Sequence, residues 1–243
     1  MPYASVNNGL KMYYETHGDG PPLLLLHGGT GSISSTTISL FETEFQVVAN
    51  EQMGHGRTAD VVDRPFHYHD LAEDTVDLMR QLGIESASVL GYSDGGIIGL
   101  DIAIHHAERV TKLVVTGANV RTDGYTRENL EWIRTFDPGQ EPVSETYGRL
   151  SPDGADHWPI FLERLRLMWA AEPCFTSQQL GRITAPTLII IGDRDIVTPE
   201  HAVEMFRTIP GAQLCVVPDA GHGAMPKETI LSFLREPAED SPV

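Results

Sequence analysis

The sequence predicts an α/β fold, with a mostly parallel sheet, helices on both of its faces and a helical insertion. Three observations carry that prediction. Short, almost continuously apolar runs alternate with helical stretches, the pattern of strands buried on both faces. The segments that follow several of these runs are rich in Gly, Asp and His, as loops at the carboxyl ends of strands in a ligand-binding sheet are. Between about residues 119 and 182 the alternation stops and a helical pattern replaces it.

In chain order, the predicted strands are Leu23 to His27, Gln46 to Asn50, Ala87 to Leu90, Leu113 to Thr116, Thr187 to Ile191 and Gln213 to Val217. After the third of them a helix is expected to run from Asp94 through Ile104. It carries Gly95, Gly96 and Gly99, each costing about 1 kcal/mol of helix propensity relative to alanine, so close packing against the sheet is the expected compensation. His105 and His106 follow, where imidazole suits the negative end of the helix dipole. In the insertion, Trp158, Phe161, Leu162, Leu165, Met168 and Trp169 are spaced 0, 3, 4, 7, 10 and 11, an apolar stripe that must cover something. A late helix starts at Thr198, a capping residue, with Pro199 in its first turn and Ala202, Val203, Met205, Phe206 and Ile209 as the inner face. One domain over residues 1–243, with a cap at about 119–182, accommodates all of this.

The chemistry is concentrated in three loops. Gly91-Tyr92-Ser93-Asp94-Gly95 stands between an apolar strand and a helix, and glycines at both ends permit a sharp turn that lifts the serine hydroxyl clear of the backbone. A serine hydroxyl is unreactive near neutral pH. It needs a histidine to take its proton and a carboxylate to orient that histidine. Gly192-Asp193-Arg194-Asp195 follows one strand and offers two carboxylates; Gly221-His222-Gly223 follows the next and offers the imidazole.

With these motifs the chain resembles the α/β-hydrolase family, from about Tyr3 to Leu234 with a divergent middle. Leu23-Leu24-Leu25-Leu26-His27-Gly28-Gly29 resembles the family's His-Gly segment after its third strand, and Ser93, Asp195, His222 follow the family's nucleophile, acid, base order. The resemblance implies an α/β-hydrolase fold with eight strands and a helical cap. It selects Asp195 as the acid and leaves Asp193 as a turn-forming carboxylate. It also implies that the backbone amides of Gly29 and Asp94 form an oxyanion hole. His55 lies in a glycine-rich segment, Met53 to Thr58, that resembles a structural loop of the family and is read as a hydrogen-bonded loop histidine. Met53 and Glu51 stand where many relatives carry arginine and aspartate, which leaves the ion pairing of that loop open.

The expected activity is that of a carboxylesterase-like serine hydrolase acting on small, largely apolar esters. Relatives that use an aspartate nucleophile are poor guides, because their alkyl-ester chemistry needs a carboxylate where this chain has Ser93. Lactonase, cofactor-free perhydrolase or haloperoxidase, and carbon–carbon bond hydrolase would use the same three residues. A small-ligand receptor on the same fold is the alternative of another class. Trp132, Trp158 and Trp169 have two readings, as packing that docks the cap or as walls of a substrate pocket. Asp94 also has two. Its carboxylate either favours a cationic substrate such as an amino-acid ester, or turns to solvent or caps its own helix.

Composition narrows the partners to a small-molecule ester substrate. The net charge of −17 argues against nucleic acid and anionic membranes, both of which reward lysine and arginine. No basic-then-apolar leader and no run of about 18 apolar residues is visible, so a cytoplasmic location is expected. Cys174 and Cys215 are the only cysteines, and Cys215 sits inside an apolar strand, where a buried free thiol is the ordinary reading. There is no CxxC, HExxH or calcium-loop pattern, and neither a metal nor a cofactor is expected. The acidic, proline-containing stretch Glu236 to Val243 is expected to be disordered.

Overall fold

The computed structural model describes residues 2–236, so the expected disorder of the tail lies, Glu236 apart, outside the described residues. Eight strands form one sheet: β1 (Tyr3–Val6), β2 (Leu10–His17), β3 (Pro22–Leu26), β4 (Gln46–Asn50), β5 (Ala87–Tyr92), β6 (Val110–Thr116), β7 (Thr187–Gly192) and β8 (Gln213–Val217). Their order across the sheet is β1-β2-β4-β3-β5-β6-β7-β8. β2 pairs antiparallel with both β1 and β4, and from β4 to β8 every pairing is parallel. The six strands read from apolar runs are β3 to β8, each within three residues of its expected start. β1 and β2 are the two that apolar runs do not reveal. They form an edge hairpin, and β2 alternates buried and exposed residues at its start.

Side chains along the inner strands alternate between two apolar clusters, as the period-2 geometry of a strand requires. Leu24, Leu26, Val89, Val115 and Ile189 face one, Leu23, Leu25, Leu90, Val114 and Ile190 the other. Both faces are therefore covered. The helices, in chain order, are α1 (Tyr68–Gln81), α2 (Asp94–His105), α3 (Arg127–Thr135), α4 (Glu145–Leu150), α5 (Trp158–Ala171), α6 (Ser177–Leu180), α7 (Pro199–Thr208) and α8 (Lys227–Arg235). α1, α2, α5 and α7 contribute to the first cluster, whereas α8 with Phe41 and Phe45 closes the second.

α2 lies where its glycines allow. An added Cβ on Gly99 would meet Leu113 Cδ1 and Val89 Cγ1 at 3.1 Å, which is the close approach to the sheet expected for this helix. α7 starts as its sequence suggests, with the Thr198 hydroxyl accepting from the His201 amide. Its inner face is narrower than expected, with Val203 only half-buried. Phe206 is exposed and His201 is buried instead, its Nε2 accepting from the Val120 amide at 3.0 Å.

Helices α3 to α6 all lie in the segment between β6 and β7, on the chain between Thr116 and Thr187. All six residues of the apolar stripe on α5 are buried, and they are continuous with the first sheet cluster. Among the described residues no helix is long and apolar enough to cross a membrane.

Candidate active site

Because β3 to β8 run in one direction, the loops after their carboxyl ends gather along a single rim of the sheet. Ser93 stands immediately after β5 and is held at φ 52°, ψ −120°, a conformation that L-residues rarely occupy and that persists only where neighbours enforce it. The enforcement is steric. A Cβ on Gly91 would lie 2.2 Å from the Gly95 carbonyl oxygen, and one on Gly95 would lie 2.4 Å from that of Leu26, so only glycines let β3, β5 and α2 approach this closely. The Ser93 amide donates to the Thr116 carbonyl at 2.8 Å, which ties the turn to β6.

His222 comes from the loop after β8 and Asp195 from the loop after β7. The Ser93 Oγ lies 3.0 Å from His222 Nε2, and His222 Nδ1 lies 2.6 Å from Asp195 Oδ1. A carboxylate can only accept, so Nδ1–H donates to it and Nε2 is left to accept the serine proton. Asp195 is buried, with its Oδ1 also accepting from the Val197 amide at 3.2 Å. Asp193 does not join this chain of bonds. It accepts from the Ala220 amide at 3.2 Å and so braces the turn that carries His222.

Further contacts hold the imidazole where it is. The Tyr92 hydroxyl donates to the His222 carbonyl at 2.7 Å, and Thr116 Oγ1 donates to the Ala224 carbonyl at 2.6 Å. Gly117, at φ 62°, makes room for the ring, since a Cβ there would stand 2.9 Å from Nδ1. None of Tyr92, Thr116 or Gly117 is recognisable from its residue type alone. Gly117 directly after an apolar strand is the one local signal that could have been used.

The segment after β3 is set by two buried histidines. His27 Nδ1 donates to the Gly28 carbonyl at 2.8 Å, and its Nε2 accepts from the Gln52 amide at 3.1 Å, so the ring is neutral in this arrangement. Burial, reinforced by the nearby His55, pushes its pKa down to about 3. The Gly28 carbonyl also accepts from the Gly31 amide at 2.9 Å. In a trans peptide the N–H points opposite to the C=O, so these two bonds turn the Gly29 N–H away from His27 and Gly31. His55 is a buried, hydrogen-bonded loop histidine, facing the carbonyls of Met53 and Gly29. The ion pairing left open in this loop is between Glu51 and Arg57, at 2.8 Å, with the Ile33 amide donating to the same carboxylate.

Asp94 corrects the expectation that its carboxylate turns to solvent or caps its own helix. It is buried rather than solvated, and its carboxylate reaches across to other elements rather than capping α2. The Tyr68 hydroxyl donates to Oδ1 at 2.9 Å and the Trp169 indole N–H donates to Oδ2 at 2.9 Å. Burial raises the carboxyl pKa, and the two hydrogen bonds oppose that rise. Gly29 is required beside it, because a Cβ there would lie 2.6 Å from both Asp94 Oδ2 and Trp169 Cζ2.

These groups line one cavity of about 390 Å³. Its floor is Gly28, Gly29, Ser93, Asp94 and His222, and its other wall comes from Tyr125 together with Asn129, Trp132, Ile133 and Trp169 of α3 and α5. Asp94 is the one carboxylate among the lining residues. Of the three tryptophans, Trp132 and Trp169 line the cavity and Trp158 does not. Trp158 is buried against Tyr147 and Phe161, with ring centroids at 4.9 and 5.6 Å, because it begins α5 on the stripe that packs inward. Tyr68, Tyr125 and Asn129 belong to the site or its support without any motif to announce them.

Comparison with known proteins agrees with this architecture. A profile described as "Alpha/beta hydrolase family" matches residues 23–230. The chain is 29% identical over 229 residues to "Serine hydrolase BPHL" of Homo sapiens, covering 88% of this chain and 78% of that protein. It is 28% identical over 263 residues to a "Non-heme haloperoxidase" of Rhodococcus erythropolis, covering 92% and 93%. Among solved structures, the enol-lactonase from Burkholderia xenovorans superposes with a TM-score of 0.75 at 22% identity, covering 97% of this chain and all of that one.

Proposed function

This chain belongs to the alpha/beta hydrolase family and is a hydrolase, and within that family we propose that it is a serine hydrolase that cleaves carboxylic esters of small, largely apolar substrates through an acyl-enzyme. The observation that carries the proposal is the continuous line of bonds from Asp195 through His222 to the Ser93 hydroxyl on the floor of the cavity. Ser93 Oγ attacks the ester carbonyl while His222 Nε2 accepts its proton. The carbonyl oxygen becomes an oxyanion that takes hydrogen bonds from the Gly29 and Asp94 amides, and the amino end of α2 adds its partial positive charge. His222 then gives its proton to the leaving alkoxide, which departs as the alcohol. Water enters, loses a proton to His222 and attacks the acyl carbon, and Ser93 is released with the proton returned. Asp195 keeps the ring in the tautomer that can accept and stabilises its charge. The helical segment between β6 and β7 acts as a cap that supplies the apolar wall.

Asp94 sharpens the substrate class. Asp94 lines the cavity next to the nucleophile, and its buried carboxylate retains lone pairs beyond those used by Tyr68 and Trp169. A substrate with an ammonium group beside the scissile carbonyl would find its only anionic partner there. The preferred esters are therefore those of amino acids over their desamino counterparts. Comparing an alanyl with a propionyl ester in wild type and Asp94→Asn tests this. The wild type should prefer the alanyl ester in kcat/KM by roughly 10- to 100-fold, the worth of one charged hydrogen bond, and the variant should lose that preference. Equal preference in both proteins would remove the idea. Lactones and peracid formation in the same panel test the other acyl-transfer chemistries of this triad, and covalent labelling without turnover on any of them would favour a binding protein.

A further inference from the structure

A second cavity, of about 470 Å³, opens on the surface where α1 meets α2, and its lining includes His69, Asp101 and His105. Nothing in the proposed ester chemistry uses these residues. Asp101 and His105 are four apart on the last turns of α2, roughly 10 to 17 Å along the helix axis from Asp94 at its first turn. His69 is the second residue of α1. Both imidazoles turn the same atom, Nδ1, towards one carboxylate oxygen, with His69 at 2.9 Å and His105 at 3.1 Å from Asp101 Oδ1. The three donor atoms lie within 4.8 Å of one another.

We propose that His69, Asp101 and His105 form a binding site for a divalent transition-metal ion of the zinc type, one that clips α1 to α2 and keeps a coordination position open to the second cavity. Four ligands at zinc bond lengths of about 2.0–2.1 Å stand about 3.3 Å apart on a tetrahedron, so the two nitrogen-to-oxygen spacings of 2.9 and 3.1 Å need to widen by only a few tenths of an ångström, and the two imidazole nitrogens already lie within 4.8 Å of each other. The donor types fit as well. Two imidazoles and one carboxylate suit zinc, cobalt or nickel, whereas calcium and magnesium call for oxygen ligands throughout.

The burial pattern supports the same reading. The Asp101 side chain is 4% exposed, but the rings of His69 and His105 are 54% and 36% exposed. A carboxylate held in the protein beneath two accessible imidazoles is a preorganised first ligand with two movable ones above it. Binding would exchange the proton on each Nδ1 for one shared cation. Glu172 and Cys174 line the same cavity as the three donor residues. The site also sits one residue from Tyr68, whose hydroxyl holds Asp94, so fixing α1 against α2 fixes that contact too.

The test is a zinc titration of the metal-stripped full chain by calorimetry, with a cobalt titration followed by its d–d absorption. The wild type should bind one equivalent, show a tetrahedral cobalt spectrum and melt at a higher temperature with zinc. His69→Gln and His105→Gln, both at accessible positions that tolerate substitution, should each weaken binding by more than about 100-fold, since losing a direct ligand exceeds the 10- to 100-fold cost of losing an outer partner. The thermal shift should vanish in both. His17→Gln, on β2, should bind as the wild type does. No stoichiometric binding by the wild type, or equal binding by the His69 and His105 variants, would overturn the proposal.

Discussion

The floor and the roof of the reaction cavity are built by different rules. On the floor and directly beneath it, Gly29, Ser93, His222 and the buried Asp195 behind it all lie within a few residues of the ends of β3, β5, β8 and β7, where the backbone hydrogen bonds of a parallel sheet fix the chain. In the roof, Asn129, Trp132, Ile133 and Trp169 ride on α3 and α5, whose positions depend on apolar side chains packing against one another and against the sheet. On the proposed function, this difference predicts that the floor is intolerant of substitution, while the roof can change its lining without losing the reaction. The catalytic roles would then be common to many esters, and the choice among esters would belong to the roof and to Asp94.

The sharpest way to break this contrast is to touch the floor without removing a reacting group. Gly29→Ala places a methyl against Asp94 Oδ2 and Trp169 at 2.6 Å, and should displace the backbone amide offered to the oxyanion. A loss of about 10²- to 10³-fold in kcat is expected, with KM little changed, as for loss of one oxyanion donor. A variant with wild-type kcat would show that the Gly29 amide has no part in the transition state.

The roof tryptophans sharpen the comparison from the other side. Trp158→Ala should cost about 3–5 kcal/mol of stability, because the side chain is buried among Tyr147 and Phe161 and its removal leaves a cavity. Trp132→Ala should shift stability by no more than about 0.5 kcal/mol, as an exposed residue stacked on Phe136 with the Trp169 ring 6.2 Å away, yet raise KM several-fold. Denaturant melts and steady-state kinetics of the two variants separate these effects. Equal stability losses, or no change of KM in Trp132→Ala, would merge the two roles.

The smallest effect concerns pH. His27 titrates at about 3 in the folded chain against 6.5 unfolded, so between those values the unfolded chain binds more protons. Its contribution to stability is present above pH 6.5 and is lost as pH falls towards 3, at no more than about 1.4 kcal/mol per pH unit. Asp74, raised by burial to about 6, works in the opposite direction, so the informative quantity is the difference between wild type and His27→Gln. The variant's urea midpoint should fall less steeply between pH 6.5 and 4.5. Parallel slopes would mean that His27 is not held neutral.

The same division explains what could be read from the chain alone. Ser93, Asp195 and His222 were legible because each sits in a glycine-rich loop after an apolar strand, and the chemistry of a serine nucleophile demands the other two. The roof was legible only as an amphipathic stripe, so the three tryptophans could not be sorted. Trp158 and Trp169 share one helical face but stand at opposite ends of it, one against Tyr147 and one above Asp94. β1 and β2 escaped because an edge hairpin does not need continuous apolar residues. Phe206 lies outside the buried stripe because helical spacing says which residues share a face, not how wide that stripe is. The His69, Asp101 and His105 cluster has no local sequence signature, because two separate helices supply it.

The central claim is that the Ser93 hydroxyl, activated by His222 and Asp195, is the atom that takes the acyl group. It is tested most directly by mixing enzyme with an activated ester, quenching during the pre-steady state and mapping the acyl mass by peptide mass spectrometry. The account predicts one acyl group per chain on the peptide containing Ser93, no such adduct in Ser93→Ala, and turnover reduced by about 10⁴- to 10⁶-fold in that variant. An adduct on another residue, or undiminished turnover by Ser93→Ala, would contradict it.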